Sequence, residues 1–219
     1  MAQSFFSNLD NLSLRDIESE ADLIPLMTTE DEEALESESL PEIVPILPLR
    51  NTVLFPGVVI PITAGRDKSI KLIKDADATN KIIGVVAQQN AAIENPNLED
   101  IHKIGTVAQI LRVLKMPDGN TTIIIQGKKR FKIKSIIEEK PYMKASIESI
   151  KESFSKKNDK KFTATIDSIK DLALQIINEN PNIPSEASFA IKNIQTPSFL
   201  INFVASNMNV NVTDKQKIL

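Results

Sequence analysis

The stretch GTVAQILRVLKMPDGNTTIIIQG, residues 105–127, contains two apolar runs separated by a short polar joint. The joint MPDGN is typical of a hairpin turn, because Pro117 presets φ and Gly119 supplies a positive φ. The apolar positions of the first run do not alternate perfectly, which predicts a β-bulge in that strand. The stretch therefore predicts a long antiparallel hairpin within a β-rich part of the chain.

Strand patterns continue on both sides of this hairpin. IVPIL and TVLFPGVVIPI precede it as two strands, and KIIGVVAQQ (81–89) is typical of a buried strand. After the hairpin, Phe131 and Ile133 alternate with lysines, so the phenylalanine is expected to face the core. One short helix is predicted over 67–78 with Asp67 as its N-cap, and residues 90–102 are expected to form a polar surface loop.

After Lys151 the apolar period becomes helical. One helix is predicted from about 159 to 180, and two more begin at Ser185 and at Thr196-Pro197. The apolar face of the first contains Phe162, Ile166, Ile169, Ala173, Ile176 and Ile177. Thr213 and Gln216 form a capping box for a fourth helix close to the last residue. A helix that begins so near the end of a sequence leads us to expect a longer protein.

The charge is distributed unevenly along the chain. Residues 1–42 hold twelve acidic residues and one base, although the net charge of the whole chain is only -3. This segment is rich in Glu and Ser and has no sustained apolar period, which predicts a disordered acidic tail. The remaining residues carry an excess of bases.

The sequence offers little catalytic chemistry. The chain has no Cys and one histidine, His102, so a zinc site or a H-E-x-x-H motif is not expected. Its six glycines include no phosphate-binding loop of the form G-x-x-x-x-G-K-[ST]. An independent enzyme is therefore the least favoured class, and we expect no metal ligands, catalytic residues or cofactor-binding residues in this segment.

Two basic stretches raise a different possibility, nucleic-acid binding. They are KKRFKIK (128–134) and KKNDKK (156–161). A basic sheet face with an exposed aromatic ring binds nucleic acid by stacking. Because Phe131 is expected to face the core, a solvated charged edge is the other interpretation, and both stay open. A free-standing nucleic-acid-binding module is thus the alternative function.

Several of these stretches together resemble the N-terminal domain of the Lon ATP-dependent protease family. They are LPLRNTVLFPGVVIPITAGRDKSI (47–70), KIIGVVAQ (81–88), IGTVAQILRVLKMPDGNTTIIIQGKKRFKI (104–133) and PYMKASIE (141–148). The resemblance covers residues 43–219. It implies an α+β fold: a PUA-like, mainly antiparallel β-barrel lobe over 43–153, then an incomplete helical lobe over 154–219.

The resemblance also implies a function. It implies a substrate-recognition and assembly domain of a cytoplasmic ATP-dependent serine protease that degrades misfolded, damaged and short-lived regulatory proteins. The ATPase module, with its ATP and magnesium, and the Ser-Lys protease domain are expected beyond this segment, in a homo-oligomer, expected to be a hexamer. The partners of this segment are then unfolded or degron-bearing proteins, and no membrane.

A receptor for unfolded chains needs exposed apolar surface. Two kinked apolar places are candidates: the Phe55 corner (residues 55–58) and the hairpin tip (residues 114–117). The candidate substrate-binding residues are Phe55, Pro56, Val58, Leu114, Met116 and Pro117. A receptor role requires both places to be partly exposed on one side of the barrel. The alternative is that these side chains belong to the core. For Arg66, a structural bond to a carboxylate or backbone carbonyl and a subunit contact are both open.

Overall fold

A computed structural model describes residues 39–117, 119–150, 160–179 and 185–219 of the chain. Most of the acidic tail, which was predicted to be disordered, lies outside the described residues, as do residues 156–159 of the second basic stretch. The described part contains six strands and five α-helices.

The strands form one sheet that closes on itself. Their bounds are β1 Ile43–Leu49, β2 Val59–Ala64, β3 Ile82–Ala87, β4 Ile104–Lys115, β5 Thr121–Glu138 and β6 Lys144–Ser149. Strand β1 pairs with β3 and β6, β4 pairs with β3 and β5, and β5 also pairs with β6. These five strands make a closed ring, in which only the β1–β3 pair is parallel. The predicted mainly antiparallel barrel is confirmed.

Strand β5 is long enough to serve two neighbours in succession. Its first part pairs with β2, from Thr121 opposite Ala64 to Gln126 opposite Val59. Its second part, from Phe131 onward, pairs with β6. Strand β4 follows β5 along most of both parts, with register shifts after Val107 and Ile110. The predicted hairpin and its bulge are therefore confirmed, and β2–β5–β4 form an arm that continues beyond the closed ring.

The barrel has an apolar interior. Its core cluster contains Val44, Ile46, Val86, Ile101, Val107, Phe131, Ile133, Ala145 and Ile147. Phe131 has no exposed surface, as its alternation with lysines predicted. Glycine is required at position 105, next to the Phe131 side chain, because a Cβ at Gly105 would lie 2.3 Å from the Val85 carbonyl oxygen. Burying a Val, Ile or Phe side chain stabilises the folded state by roughly 1.5–3 kcal/mol.

The helices are α1 Asp67–Asp77, α2 Lys160–Glu179, α3 Ser185–Asn193, α4 Pro197–Asn207 and α5 Val212–Ile218. The predicted helix near 67–78 and the three helices over 159–207 are confirmed. Two predicted caps are wrong. Arg66 is the N-cap of α1 and Asp67 is already helical. At α5 the Asn211 side chain accepts the Asp214 N–H at 2.8 Å, so Asn211 takes the place of the Thr213–Gln216 capping box.

By its contacts the chain divides into two compact units. The described residues of the first are 160–179 and 185–201, which form the helical unit. The second unit contains the barrel together with residues 202–219. The boundaries of the domains proposed from the sequence stay a prediction.

Candidate functional site

The Phe55 corner is a tight turn. Pro56 and Gly57 are its central residues, Gly57 has φ 79°, and the Val58 N–H donates to the Phe55 carbonyl at 3.2 Å. Proline followed by a residue with positive φ is the pattern of a type II turn. The turn chemistry is therefore as the sequence indicated.

The corner is buried against β5. Phe55 is 0% exposed and Val58 is 6% exposed, and Pro56 is also buried. The Gly57 N–H donates to the Gly127 carbonyl at 2.9 Å, and the Gly127 N–H donates back to Val58 at 2.9 Å. Of the two alternatives for this corner, exposed surface and core, the structure shows the core, because reciprocal backbone bonds hold the kink against β5. Its apolar side chains belong to the core.

The hairpin tip has the opposite character. Leu114 and Met116 are half-buried and Pro117 is exposed. The turn is closed by its own backbone: the Met116 N–H donates to the Asn120 carbonyl at 2.9 Å, and Gly119 has φ 88°. The predicted turn is confirmed, and apolar side chains at the tip are accessible from solvent.

The structure does not bring the corner and the tip together. The corner bonds to Gly127, whereas the tip joins β5 at Thr121. At about 3.3 Å per residue, the intervening strand separates them by roughly 20 Å. The neighbour of the tip is instead Gly65, where a Cβ would lie 2.6 Å from the Asn120 Oδ1 atom. The expectation of one joint apolar surface is wrong.

Arg66 follows Gly65 and has an internal partner. Its Nη2 atom donates to Gln88 Oε1 at 2.6 Å, and Gln88 Nε2 donates to the Ile93 carbonyl at 2.9 Å. Burial and the nearby Arg50 lower the pKa of Arg66, whereas Glu94 opposes this shift. The partner is a side-chain amide, and not the carboxylate or backbone carbonyl that we expected. The subunit contact stays a prediction.

A groove of about 190 Å³ lies between α1, the loop after β3 and the β5–β6 connection. Ile46 and Leu72 form its buried floor. Leu98, Ile136 and Met143 add apolar walls, and Lys68, Glu139 and Lys140 are among the charged lining residues. The sequence did not predict this groove, because residues 90–102 have the composition of a polar surface loop. Leu98 was the available signal.

Tyr142 connects the wall of this groove to α1. Its hydroxyl donates to Asp75 Oδ2 at 3.0 Å, and the Lys144 ammonium lies 5.8 Å from the ring centre. Lys144 also pairs with Glu138 at 2.9 Å. Partial burial and Asp75 raise the pKa of Tyr142, so the hydroxyl stays protonated and acts as a donor at neutral pH.

The helical unit exposes large apolar side chains. Leu172 and Ile176 of α2 are 59% and 61% exposed, and Phe189 of α3 is 62% exposed. Lys170 links the two helices, because its ammonium donates to the Lys192 carbonyl at 2.9 Å. Ile176 was expected to lie on the apolar face of α2, but most of its side chain is exposed. The sequence periodicity did not distinguish this exposed position from half-buried neighbours.

The basic strand places its charges outside the barrel. Lys132 and Lys134 are exposed, and Lys134 lies 3.8 Å from the Glu148 carboxylate. Phe131, which precedes Lys132, is buried and is not available for stacking on a base. Within the described ranges, no three His, Cys, Asp or Glu side chains cluster as metal ligands. None of the described helices has the length and apolar character needed to cross a membrane.

Comparison with known proteins agrees with this architecture. The family model described as the ATP-dependent protease La (LON) substrate-binding domain matches residues 43–219. The Lon protease of Flavobacterium johnsoniae is 66% identical over 96% of this chain, and that of Cytophaga hutchinsonii is 49% identical over 90%. The chain belongs to the Lon substrate-binding domain family.

Solved structures support the fold in particular. The N-terminal domain of Mycobacterium avium complex Lon protease covers 80% of this chain with a TM-score of 0.63 at 22% identity. The Lon N-terminal domain protein from Xanthomonas campestris gives a TM-score of 0.55. The chain spans about a quarter of the length of the two relatives named above, 26% and 24%.

Proposed function

We propose that this chain is the substrate receptor of an ATP-dependent serine protease and that it binds unfolded polypeptide. The family description supports a role in substrate binding. The observation that carries the finer proposal is the hairpin tip, where Leu114, Met116 and Pro117 present apolar surface on an arm beyond the closed ring. Methionine suits varied partners, because its side chain is unbranched and polarisable.

The remainder of the proposal concerns the whole protein. The two relatives named above are Lon proteases about four times as long as this chain. We therefore place ATP and magnesium binding, the Ser-Lys endopeptidase activity and the hexameric assembly outside this segment, in the cytoplasm. This segment itself carries no catalytic step in the proposal. Arg66 is a candidate subunit contact in such an assembly.

The nucleic-acid alternative has less support. Stacking on bases needs an exposed ring, and Phe131 is buried. Lys134 is in part neutralised by Glu148. The remaining basic surface would attract nucleic acid mainly through charge, and such binding weakens steeply as salt rises.

A binding experiment tests the proposed function. A fluorescently labelled protein that is reduced and carboxymethylated, and so cannot refold, is titrated with the 219-residue chain in 50 mM and 200 mM salt. We expect saturable binding of the unfolded probe that changes little with salt, because apolar contacts are not screened. The native form of the same labelled protein should not bind.

Two results would contradict the proposal. Equal affinity for the native and unfolded forms would show that the chain does not recognise exposed apolar segments. Binding of a labelled single-stranded oligonucleotide, with no binding of the unfolded protein, would favour the nucleic-acid alternative. The titrations of the unfolded protein and of the oligonucleotide use the same preparation of the 219-residue chain. The thermal transition of that preparation shows that the chain is folded.

A further inference from the structure

Arg130 donates hydrogen bonds to residues outside its own sheet. It lies on β5 opposite Thr106 of β4 and is half-buried. Its Nε atom donates to the Leu219 carbonyl at 2.6 Å, and its Nη2 atom donates to Asn202 Oδ1 at 2.6 Å. One guanidinium thus contacts both ends of residues 202–219, here called the 202–219 segment.

A second bond joins the same segment to the next strand. The Gln216 Nε2 atom donates to the Ile104 carbonyl at 3.1 Å. Ile104 is two residues from the partner of Arg130 on β4, so both attachments lie at the same end of the hairpin. Inside the segment, the Lys215 ammonium donates to the Ser206 carbonyl. The segment is therefore folded back on itself, and the Arg130 and Gln216 side chains join it to the barrel.

An arginine suits this position better than other residues. A guanidinium is planar, stays protonated when it is partly buried, and offers several donors in a fixed geometry. Burial lowers the pKa of Arg130. The guanidinium still keeps its charge, because its ordinary pKa lies far above neutral pH. Asn202 is only 2% exposed, so its oxygen has little access to water if the guanidinium is removed. An unsatisfied buried acceptor is costly.

We propose that Arg130 is a positioning residue that holds the 202–219 segment on the barrel, and that Gln216 is its weaker second attachment. Local opening of this segment is then controlled by Arg130 separately from unfolding of the sheet. Regions of one protein open with different free energies when their contacts differ. Arg130 is not proposed to contact substrate, so this inference is independent of the receptor function.

Hydrogen exchange of the 219-residue chain measures the opening directly. In Arg130→Gln we expect amides of residues 203–219 to exchange at least tenfold faster than in the unchanged chain. Amides of Ile123, Ile124 and Ile125 at the centre of the sheet should keep their rates. Arg130→Lys should fall between the two, because an ammonium can supply one of the bonds. Lys132→Gln, an exposed position on the same strand, is the matched control and should exchange as the unchanged chain does.

Two outcomes would overturn the proposal. Unchanged exchange over 203–219 in Arg130→Gln would show that the guanidinium does not hold the segment. A uniform rise over both the segment and the sheet would make Arg130 an ordinary contributor to global stability.

Variants on the segment itself provide a test that does not require the barrel to tolerate a change on β5. Asn202→Ala should accelerate exchange around α5 less than Arg130→Gln does, because the bond to Leu219 remains, and the double variant should be little faster than Arg130→Gln alone. Gln216→Leu should give a smaller rise, confined to residues 212–218. Multiplicative effects of Asn202→Ala and Arg130→Gln would contradict a shared contact.

Discussion

The Phe55 corner and the hairpin tip are alike in sequence and opposite in burial. Each combines apolar side chains with a proline, followed by a glycine at positive φ, 79° at Gly57 and 88° at Gly119. Phe55 is fully buried, whereas Pro117 at the tip is exposed. Turn chemistry sets the local backbone in both places and does not determine which of them is covered.

The difference arises from the partners of the backbone. At the corner, the Gly57 N–H and the Val58 carbonyl bond to Gly127, on a strand far away in sequence. At the tip, the Met116 N–H bonds to Asn120 within the same hairpin. A turn whose backbone bonds to a distant strand is held against that strand, whereas the backbone bond that closes the tip lies within its own hairpin. The corner is therefore part of the core, whereas the tip keeps apolar side chains that solvent can reach.

The largest effect is expected at the corner. Phe55→Ala removes a fully buried ring and leaves a cavity, and such changes cost about 3–5 kcal/mol in the free energy of unfolding. Denaturant unfolding monitored by circular dichroism gives this quantity. Lys115→Ala, an exposed position beside the tip, is the control and should change stability by about 0.5 kcal/mol or less. A loss at Phe55 as small as that of the control would mean that the corner is not core.

A smaller loss is expected when the corner is pushed away from β5. A Cβ at Gly127 would lie 2.3 Å from the Phe55 carbonyl oxygen, so Gly127→Ala forces the two backbones apart. Overpacking of this kind typically costs about 1–3 kcal/mol. Thermal unfolding of Gly127→Ala reports the effect of the steric contact with Phe55. Gly119→Ala is the comparison for backbone strain alone, because a Cβ at Gly119 meets nothing within 4 Å but the residue keeps a φ of 88°. Equal stability of Gly127→Ala and the unchanged chain would contradict a close approach of the Phe55 and Gly127 backbones.

The sequence predicted elements well because their signals are local. The MPDGN turn, the alternation around Phe131 and the helix after Gly65 all depend on residues within a few positions of one another. Burial of the Phe55 corner depends on Gly127, which no local pattern connects to it. The same limit explains the missed groove, since Leu98, Ile136 and Met143 meet only after the barrel closes.

Caps show how tertiary contacts alter a local prediction. Thr213 and Gln216 have the spacing of a capping box. In the structure Gln216 donates to Ile104 of β4, and Asn211 caps the helix instead. Arg66 likewise bonds to Gln88, whose position beside α1 requires the folded sheet. The candidate binding residues divided in the same way: the tip residues remain candidates, and the corner residues belong to the core.

The measurement that tests the central claim most directly is the affinity of a Met116→Glu variant for the unfolded, carboxymethylated probe. We expect binding roughly tenfold weaker, about 1.4 kcal/mol, because a carboxylate replaces an apolar contact at the tip. Lys115→Gln, which makes the same change in net charge one residue away, should bind as the unchanged chain does. The melting temperature of both variants should move little, because neither position is in the core. Unchanged affinity of Met116→Glu, with an unchanged melting temperature, would contradict a receptor surface at the hairpin tip.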